Sequence, residues 1–505
     1  MVVIVKNCWV KPFVVVENGQ FCLIFHRTNS YIIRTRFQKH MSDFASKIDD
    51  FFHITERGSD IRTEIRGGVI TFLAMFYILA VNPIILSSTT GVNFQQLVGA
   101  TALAAFVSCI LMGIYARFPV ALAPGMGINA FVAYTIVGTM GFDYYQALLI
   151  VLISGVLFFA LTVTGVRTKL LVSIPLVMRL AITAGIGFFI VVVGLYNAGI
   201  ITHGNGSALT LGALGSPGVN LSIMCIVVTL IFWYKKHWAA VLIGVVFTVI
   251  VGYLGGQFLG WDTTVEGTSL IPGVGTATVT EIMTTPDFGL FGAVFADLSG
   301  FEAALWPAFI VSVASLLVVD IFDTTGTLLG IGHSAGIIDE NGSIEGNEKA
   351  LQVDAVATVF GAVAGTSTTT SFIESSAGIA AGARTGLMAV VVGILFLIAM
   401  FFAPVFSVIT SACTVGALIL VGLMMATAMK DIDWTAPVNV ATAFMTIFMM
   451  GLAGSITDGI AFGCLTYILG MILTGQRKDI SKVVWILGLV FLAYFIVTFG
   501  IIPRM

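Results

Sequence analysis

Apolar runs of about 20 residues, each long enough to carry a helix across a bilayer, recur along this chain from Val69 to the C-terminus. A chain that repeats such runs so often reads as an all-α polytopic membrane protein. Composition points the same way. Of 505 residues, 58% are hydrophobic and 10% charged, whereas a soluble domain uses about 25% charged residues to hydrate its surface. Most of the surface must therefore face lipid.

A net charge of −3 is too small to argue for nucleic acid or any strongly charged partner. The cysteines Cys8, Cys22, Cys109, Cys225, Cys413 and Cys464 show no CxxC spacing and no metal-type pairing with His. They read as small apolar residues inside helices, and no metal or cofactor is expected.

The N-terminus reads differently. Short apolar stretches at 13–16 and 21–25 are broken by Glu17, Asn18 and Gly19, and the basic residues Arg27, Arg34, Arg36 and Lys39 follow. A signal peptide puts its charge before the apolar core, so the order is wrong for one. Met41 could itself be a start, which would make 1–40 an extension without a role in transport. Residues 41–68 read as a charged, partly helical cytoplasmic leader.

Spans are expected near 69–87, 95–115, 120–138, 144–164, 174–200, 218–234 and 238–258. A polar Gly- and Thr-rich connection, 259–303, follows. A second series lies near 304–332, 350–366, 367–383, 385–402, 404–428, 436–451 and 455–474, and 475–505 closes the chain with one more apolar segment, 483–502. The repeats are thus 69–258 and 304–474. Short loops carrying Arg117, Arg167 with Lys169, Lys235 with Lys236, and Arg477 with Lys478 all fall on the cytoplasmic side if the leader does and each half has seven spans. The expected place is the cell membrane. The topology of 483–502 stays open.

An internal repeat supports two halves. Gly155-Val156-Leu157-Phe158 returns as Gly393-Ile394-Leu395-Phe396. The broken segment Ala123-Pro124-Gly125-Met126-Gly127 has an expected counterpart near Ala364-Gly365-Thr366-Ser367. Seven spans separate equivalents, and seven is odd, so the copies are inverted in the membrane. Inverted repeats with interrupted helices mark a secondary transporter and point to its site.

Two segments carry chemistry. In the first, 319–327, Asp320 and Asp323 lie three residues apart, on one helix face, with Thr324, Thr325 and Thr327 beside them. A carboxylate at mid-membrane costs about 2.5–3.5 kcal/mol, so both should point into the protein. In the second, the hydroxyl run Thr366 to Ser371 precedes Glu374. β-Branched residues in a row favour extended chain, which predicts a short strand leading into a half-helix near Ser371, with free N–H groups aimed at the site. The partner segment has Pro and two Gly, then Asn129 and Phe131, and no charge.

Two carboxylates, many hydroxyls and exposed amides suit a small, flat, uncharged guest with N–H groups on its rim, and nucleobases fit. An anion fits poorly, since neither segment contains Lys or Arg. Protons are the simplest coupling ion, because a desolvated carboxylate beside another can load and release one; sodium stays open. Asp320 is weighed between proton coupling and bracing a neighbouring helix. His333 and the acidic stretch 339–354 read as solvated, and Gly185-Ile186-Gly187 as a close helix contact.

At these residues the sequence resembles the AzgA-like adenine/guanine/hypoxanthine permeases of the nucleobase–cation symporter-2 (xanthine/uracil permease) superfamily. Four stretches carry the likeness: 68–75 with Asn82-Pro83; 123–131; Asp320-Ile321-Phe322-Asp323-Thr324-Thr325-Gly326-Thr327; and 368–378. The resemblance implies about fourteen spans in two inverted sets of seven, a core and a gate domain, and broken third and tenth helices around the substrate. It implies purine import with protons by elevator-like movement, and no enzymatic activity. Substrate-binding residues would be Asp323, Glu374, Thr324, Ser371, Phe372, Met126 and Asn129, with Asp323, Glu374 and Asp320 in proton coupling. Met449-Met450-Gly451-Leu452-Ala453 departs from the more polar, proline-containing stretch of many relatives. Alternatives are uracil, xanthine or an anion on the same fold, or an intramembrane enzyme. The preferred purine and a homodimeric partner are not legible.

Overall fold

The computed structural model describes residues 13–17, 20–24, 45–167, 173–204, 209–265, 267–275, 277–278, 281–296, 306–335 and 347–496. The chain divides into two units, Met1–Ile61 and Arg62–Met505. The first holds an antiparallel hairpin of β1 (Phe13–Glu17) and β2 (Gln20–Ile24) and the helix α1, 45–52.

In the second unit, α2 (Ile61–Met75), α3 (Ile78–Thr90) and α4 (Phe94–Leu111) lead to the short strand β3 (Leu122–Pro124) and the short helix α5 (Met126–Ala130), which continues to Thr139 as a π-helix. Then come α6 (Tyr144–Val163), α7 (Leu176–Asn197), the small hairpin β4 (Ile201–Thr202) and β5 (Thr210–Leu211), α8 (Pro217–Tyr234), α9 (Ala240–Leu259) and a second small hairpin, β6 (Thr264–Val265) with β7 (Thr268–Ser269). The second half runs α10 (Trp306–Ala335), α11 (Asn347–Ala364), β8 (Thr369–Ser371), α12 (Ser375–Ala380), α13 (Gly386–Ala399), α14 (Ala403–Phe406), α15 (Ser411–Ala426), α16 (Pro437–Ala453), α17 (Ile456–Leu473) and α18 (Lys482–Ile496).

Among the described residues, nine helical runs are long and apolar enough to cross a membrane. Large apolar side chains stand on the outside: Phe258 is 79% exposed, Leu489 64% and Ile310 62%. This is a surface for lipid, and the protein is a multi-pass membrane protein. Cys109, Cys225, Cys413 and Cys464 are free and buried, as expected of small apolar residues; Cys8 lies outside the described residues.

Two helix groups emerge from the packing. In one, α4 packs on α3, α11 and α13, and α6 on α10 and α11. In the other, α7 packs on α15 and α16, α15 on α8 and α9, and α16 on α17. These are the core and the gate. The repeated tetrapeptides make equivalent contacts in the two halves. Gly155 on α6 presses on α11, where a Cβ would meet Thr358 at 2.9 Å, and Gly393 on α13 presses on α4, where a Cβ would meet the Phe106 carbonyl at 3.1 Å. Val156 and Ile394 are exposed, Phe158 and Phe396 fully buried. Both partners of each pair are seven spans apart, so one contact is made twice.

Several expectations shift. The strand that pairs with Leu122–Pro124 is Thr369–Ser371, a few residues beyond 364–367, where Gly365 takes a positive φ of 89° just past the end of α11. The half-helix α12 starts at Ser375 rather than near Ser371. A run placed at 404–428 begins at Ser411, since α14 continues the preceding span, Gly386–Phe406. The first span starts at Ile61, and its buried Glu64 carboxylate accepts the Arg384 and Thr385 N–H groups at 2.7 and 3.2 Å, tying α2 to the chain just ahead of α13. The connection 259–303 is partly built into the bundle, with Leu270, Ile271 and Leu290 buried.

Gly187 on α7 faces α15 closely enough that a Cβ would lie 2.8 Å from both the Gly422 carbonyl and the Met425 Cβ, whereas one at Gly451 would meet nothing nearer than Val192 at 3.8 Å. Gly187→Val should cost about 1–3 kcal/mol by overpacking and lower the Tm of the purified protein. Gly451→Ala should leave it unchanged or raised; equal Tm values for the two would contradict this packing.

Candidate functional site

Backbone that leaves the helix inside a membrane must find other partners for its N–H and C=O groups. Here β3 and β8 supply them to each other. They pair antiparallel, with Leu122 opposite Ser371, Ala123 opposite Thr370 and Pro124 opposite Thr369. The pairing extends at both ends, where Gly125 N donates to the Thr368 carbonyl at 3.0 Å and Phe372 N to the Ala121 carbonyl at 2.9 Å. Pro124, lacking an N–H, ends its strand, and Gly125 leads into α5. A Cβ at Gly125 would sit 2.8 Å from Thr370 Cγ2, so only glycine lets the strands approach this closely.

Behind the strands the hydroxyl run is anchored. Asn82 Nδ2 donates to Thr366 Oγ1 at 2.8 Å, and Ser367 donates to Asn129 Oδ1. In front, β8 bonds two acidic side chains, and a third stands just beyond it. Thr370 Oγ1 donates to Asp323 Oδ2 at 3.1 Å. Ser371 donates through both its N–H (3.0 Å) and its hydroxyl (3.1 Å) to Asp354 Oδ1, while Thr324 Oγ1 donates to Asp354 Oδ2. Glu374, just ahead of α12, accepts from the Tyr77 hydroxyl, which sits where α2 gives way to α3.

Asp323 and Glu374 line one cavity of about 40 Å³, with Gly125, Met126, Thr327, Ser371 and Phe372 on the core side and Ile190, Val421 and Met425 on the gate side. The core wall is polar and the gate wall apolar. Asp323 is half-buried, open to this space, whereas Asp320 and Asp354 are fully buried. A larger cavity of about 500 Å³, lined by Ser87, Gln95, Asn197, Thr268 and other uncharged side chains, lies where α3 meets α4. Asn197 on α7 also donates to the Tyr134 hydroxyl at 3.0 Å, tying the third span to the gate.

Of the residues singled out from sequence, Asp323, Glu374, Ser371, Phe372 and Met126 come together on the cavity. Three do not reach it. Thr324 turns to Asp354, Asn129 to Ser367 and the Pro124 carbonyl, and Asp320 to the Thr358 hydroxyl at 3.0 Å. Residues three apart on a helix differ by about 60° of rotation, short of a full turn, enough to send Asp320 toward α11 and Asp323 toward the cavity. The N–H groups of Ser375, Ser376 and Ala377 are occupied by the carbonyls of Phe372, Ile373 and Glu374, so the expected free amides at the start of α12 are already spent on its first turn.

Asp354 corrects the reading of 339–354 as solvated, for it is 0% exposed on α11. Residues 339–346 and the side chain of His333 lie outside the described residues. Arg167, placed in a cytoplasmic loop from sequence, is 1% exposed. The signal for Asp354 is divided: it is a lone carboxylate among Val353, Ala355, Val356 and Ala357, but it closes an acidic stretch near the start of a span. Tyr77 gave no signal beyond a hydroxyl in an apolar span.

Asp354 accepts three bonds and Asp323 one from side chains or backbone. Asp354→Asn should therefore cost about 3–5 kcal/mol, and Asp323→Asn about 1 kcal/mol or less. Melting of the two purified variants orders them; equal losses would deny Asp354 its bracing role.

Residues 62–462 match a family described as the Permease family. The chain is 40% identical over 455 residues to a guanine/hypoxanthine permease of Bacillus subtilis, covering 88% of this chain and 99% of that protein. It is 36% identical over 452 residues to an adenine permease of Escherichia coli, covering 90% and 97%. Among solved structures, the transmembrane domain of a cyanobacterial bicarbonate transporter, BicA, superposes with a TM-score of 0.53 at 16% identity, covering 82% of this chain and 96% of that one. The murine Slc26a9 anion transporter in its inward-facing state gives 0.53 at 12%, covering 81% and 68%. Such identities speak for the fold alone. With the family match spanning most of its length and relatives this similar, the chain belongs to the Permease family of membrane transporters.

Proposed function

We propose that the protein imports purine nucleobases, adenine, guanine or hypoxanthine, with protons. The observation that carries this is the pairing of Asp323 and Glu374 on one cavity, each holding one side-chain donor and each with acceptor capacity left. The rim N–H groups of a purine supply the missing donors. The Thr370 and Ser371 hydroxyls answer ring nitrogens or a carbonyl, and Phe372, Ile190, Val421 and Met425 offer apolar surface to the ring faces. Relatives named as guanine/hypoxanthine and adenine permeases support the same guest. Among the described residues, no Lys or Arg lines this cavity, which argues against an anion.

A cavity of 40 Å³ holds water, for which about 10–15 Å³ suffices, but is tight for a purine. Entry then requires the gate wall of Ile190, Val421 and Met425 to part from the core wall. Movement of a polar core against an apolar gate supplies this without separating any of the carboxylates from their partners, since Thr370, Tyr77 and Ser371 all belong to the core. That is an elevator-like cycle. Proton coupling follows from the same two acids: whichever loses its donor to the base, or gains a proton in its place, changes the charge the core carries across the membrane. In this reading the leader is cytoplasmic and the protein sits in the cell membrane.

Uptake of labelled hypoxanthine or adenine into cells lacking their own purine permeases should fall at least about tenfold, or 1.4 kcal/mol, in Asp323→Asn and in Glu374→Gln. Full uptake by either would sink the assignment. In vesicles, an imposed pH gradient should drive accumulation and a sodium gradient should not. Unlabelled guanine should compete, and uracil and sulfate should not.

A further inference from the structure

We infer that Arg167 is the fixed counter-charge of the buried carboxylates Asp320 and Asp354, and that through Asp354 it positions the strand that faces the substrate. The inference rests on the purine reading only for its binding arm.

Arg167 follows α6 and is among the largest fully buried side chains, with its guanidinium carbon 4.4 Å from the centre of the Phe158 ring. The Phe158 ring beneath it packs with Ile321 and Ala355, the sequence neighbours of Asp320 and Asp354, which brings its charge near both acids. Asp354 works as an acceptor only. Its oxygens receive the Thr324 hydroxyl, the Ser371 hydroxyl and the Ser371 N–H, and the last cannot turn away. The ionised carboxylate accepts all three at once, whereas a protonated one would have to turn the Thr324 hydroxyl around. A buried anion without a counter-charge is costly, and an arginine, charged under all ordinary conditions, removes most of that cost.

The consequence runs through one chain of contacts. Arg167 holds Asp354 anionic, Asp354 holds Ser371 by two bonds, and Ser371 stands opposite Leu122 in the strand pair. Thr370 and Glu374, on either side of Ser371, are thereby kept in register with Asp323. Arg167 touches no substrate and is a positioning residue. The acids divide accordingly: Asp354 stays charged as scaffold, and Asp323 and Glu374 face the guest. Asp320, with Oδ2 on Thr358 and no hydrogen-bond partner for Oδ1, shares the same cation.

Charge arithmetic gives the test. With both acids ionised, as the inference requires, one cation against Asp320 and Asp354 leaves one net negative charge; Arg167→Gln leaves two, and Arg167→Gln with Asp320→Asn returns to one. Full-length protein carrying Arg167→Gln should melt several degrees below wild type and bind labelled hypoxanthine at least about tenfold more weakly. The double variant should recover a large part of both losses, and Arg167→Lys should fall between wild type and Arg167→Gln. Rescue by Asp320→Asn separates charge balance from mere packing on Phe158, which that substitution does not touch. An Arg167→Gln protein that melts and binds like wild type, or a double variant no better than Arg167→Gln, overturns the inference. Wild-type protein that binds no purine would overturn the purine reading instead, and the melting comparison would still decide for or against Arg167.

Discussion

Two strands of three residues, paired across the middle of the bundle, are what the rest of the structure is arranged around. A helix satisfies its own backbone, so a membrane protein that interrupts one must replace those hydrogen bonds at once. Leu122–Pro124 and Thr369–Ser371 do so by pairing with each other, and because they come from inverted halves, the pairing is antiparallel. Everything near them follows from the need to keep that pairing dry and in place. Gly125 permits close approach, Asn82 and Asn129 hold the hydroxyls behind, and Asp354 holds Ser371 in front.

The pairing also decides where charge can live. Carboxylates cannot face lipid cheaply, and in this protein they cluster where strand hydroxyls can reach them. Asp323 meets Thr370, Asp354 meets Ser371 and Thr324, and Asp320 meets Thr358. All belong to the core. The gate contributes apolar side chains and is held together by close glycine contacts, such as Gly187 against Gly422 and Gly185 against Met450. Met450, in the stretch that departs from the pattern of many relatives, is fully buried between α7 and α17 and does not line the cavity. A polar body beside an apolar one can slide without exposing either to an environment it does not tolerate.

Much of this was legible from residue order. Apolar runs announced most of the helices, though the first begins at Ile61 rather than 69 and another at Ser411 rather than 404; the Thr366 to Ser371 run announced a strand, and Asp323 and Glu374 stood out as carboxylates where lipid should be. Gly185-Ile186-Gly187 proved to be a close helix contact. The misses have a common cause. Asp354 and Arg167 lie near span ends, where a charge is equally consistent with water, and only the packing of α6, α10 and α11 buries them. Thr324 and Asn129 sit in the right motifs but turn to protein partners.

By itself, the sequence determined that the chain spans a membrane many times, that its halves are inverted, and that acidic and hydroxyl groups meet at broken helices. These follow from local properties: hydrophobic length, β-branching, and the cost of a charge at depth. Tertiary structure alone decided which carboxylate faces the guest and which braces the strand. Asp320, Asp323 and Asp354 are the same chemical group in similar apolar surroundings along the chain. What separates them is the direction each side chain takes once three helices and a strand have closed around it, and no residue's own neighbours in sequence encode that.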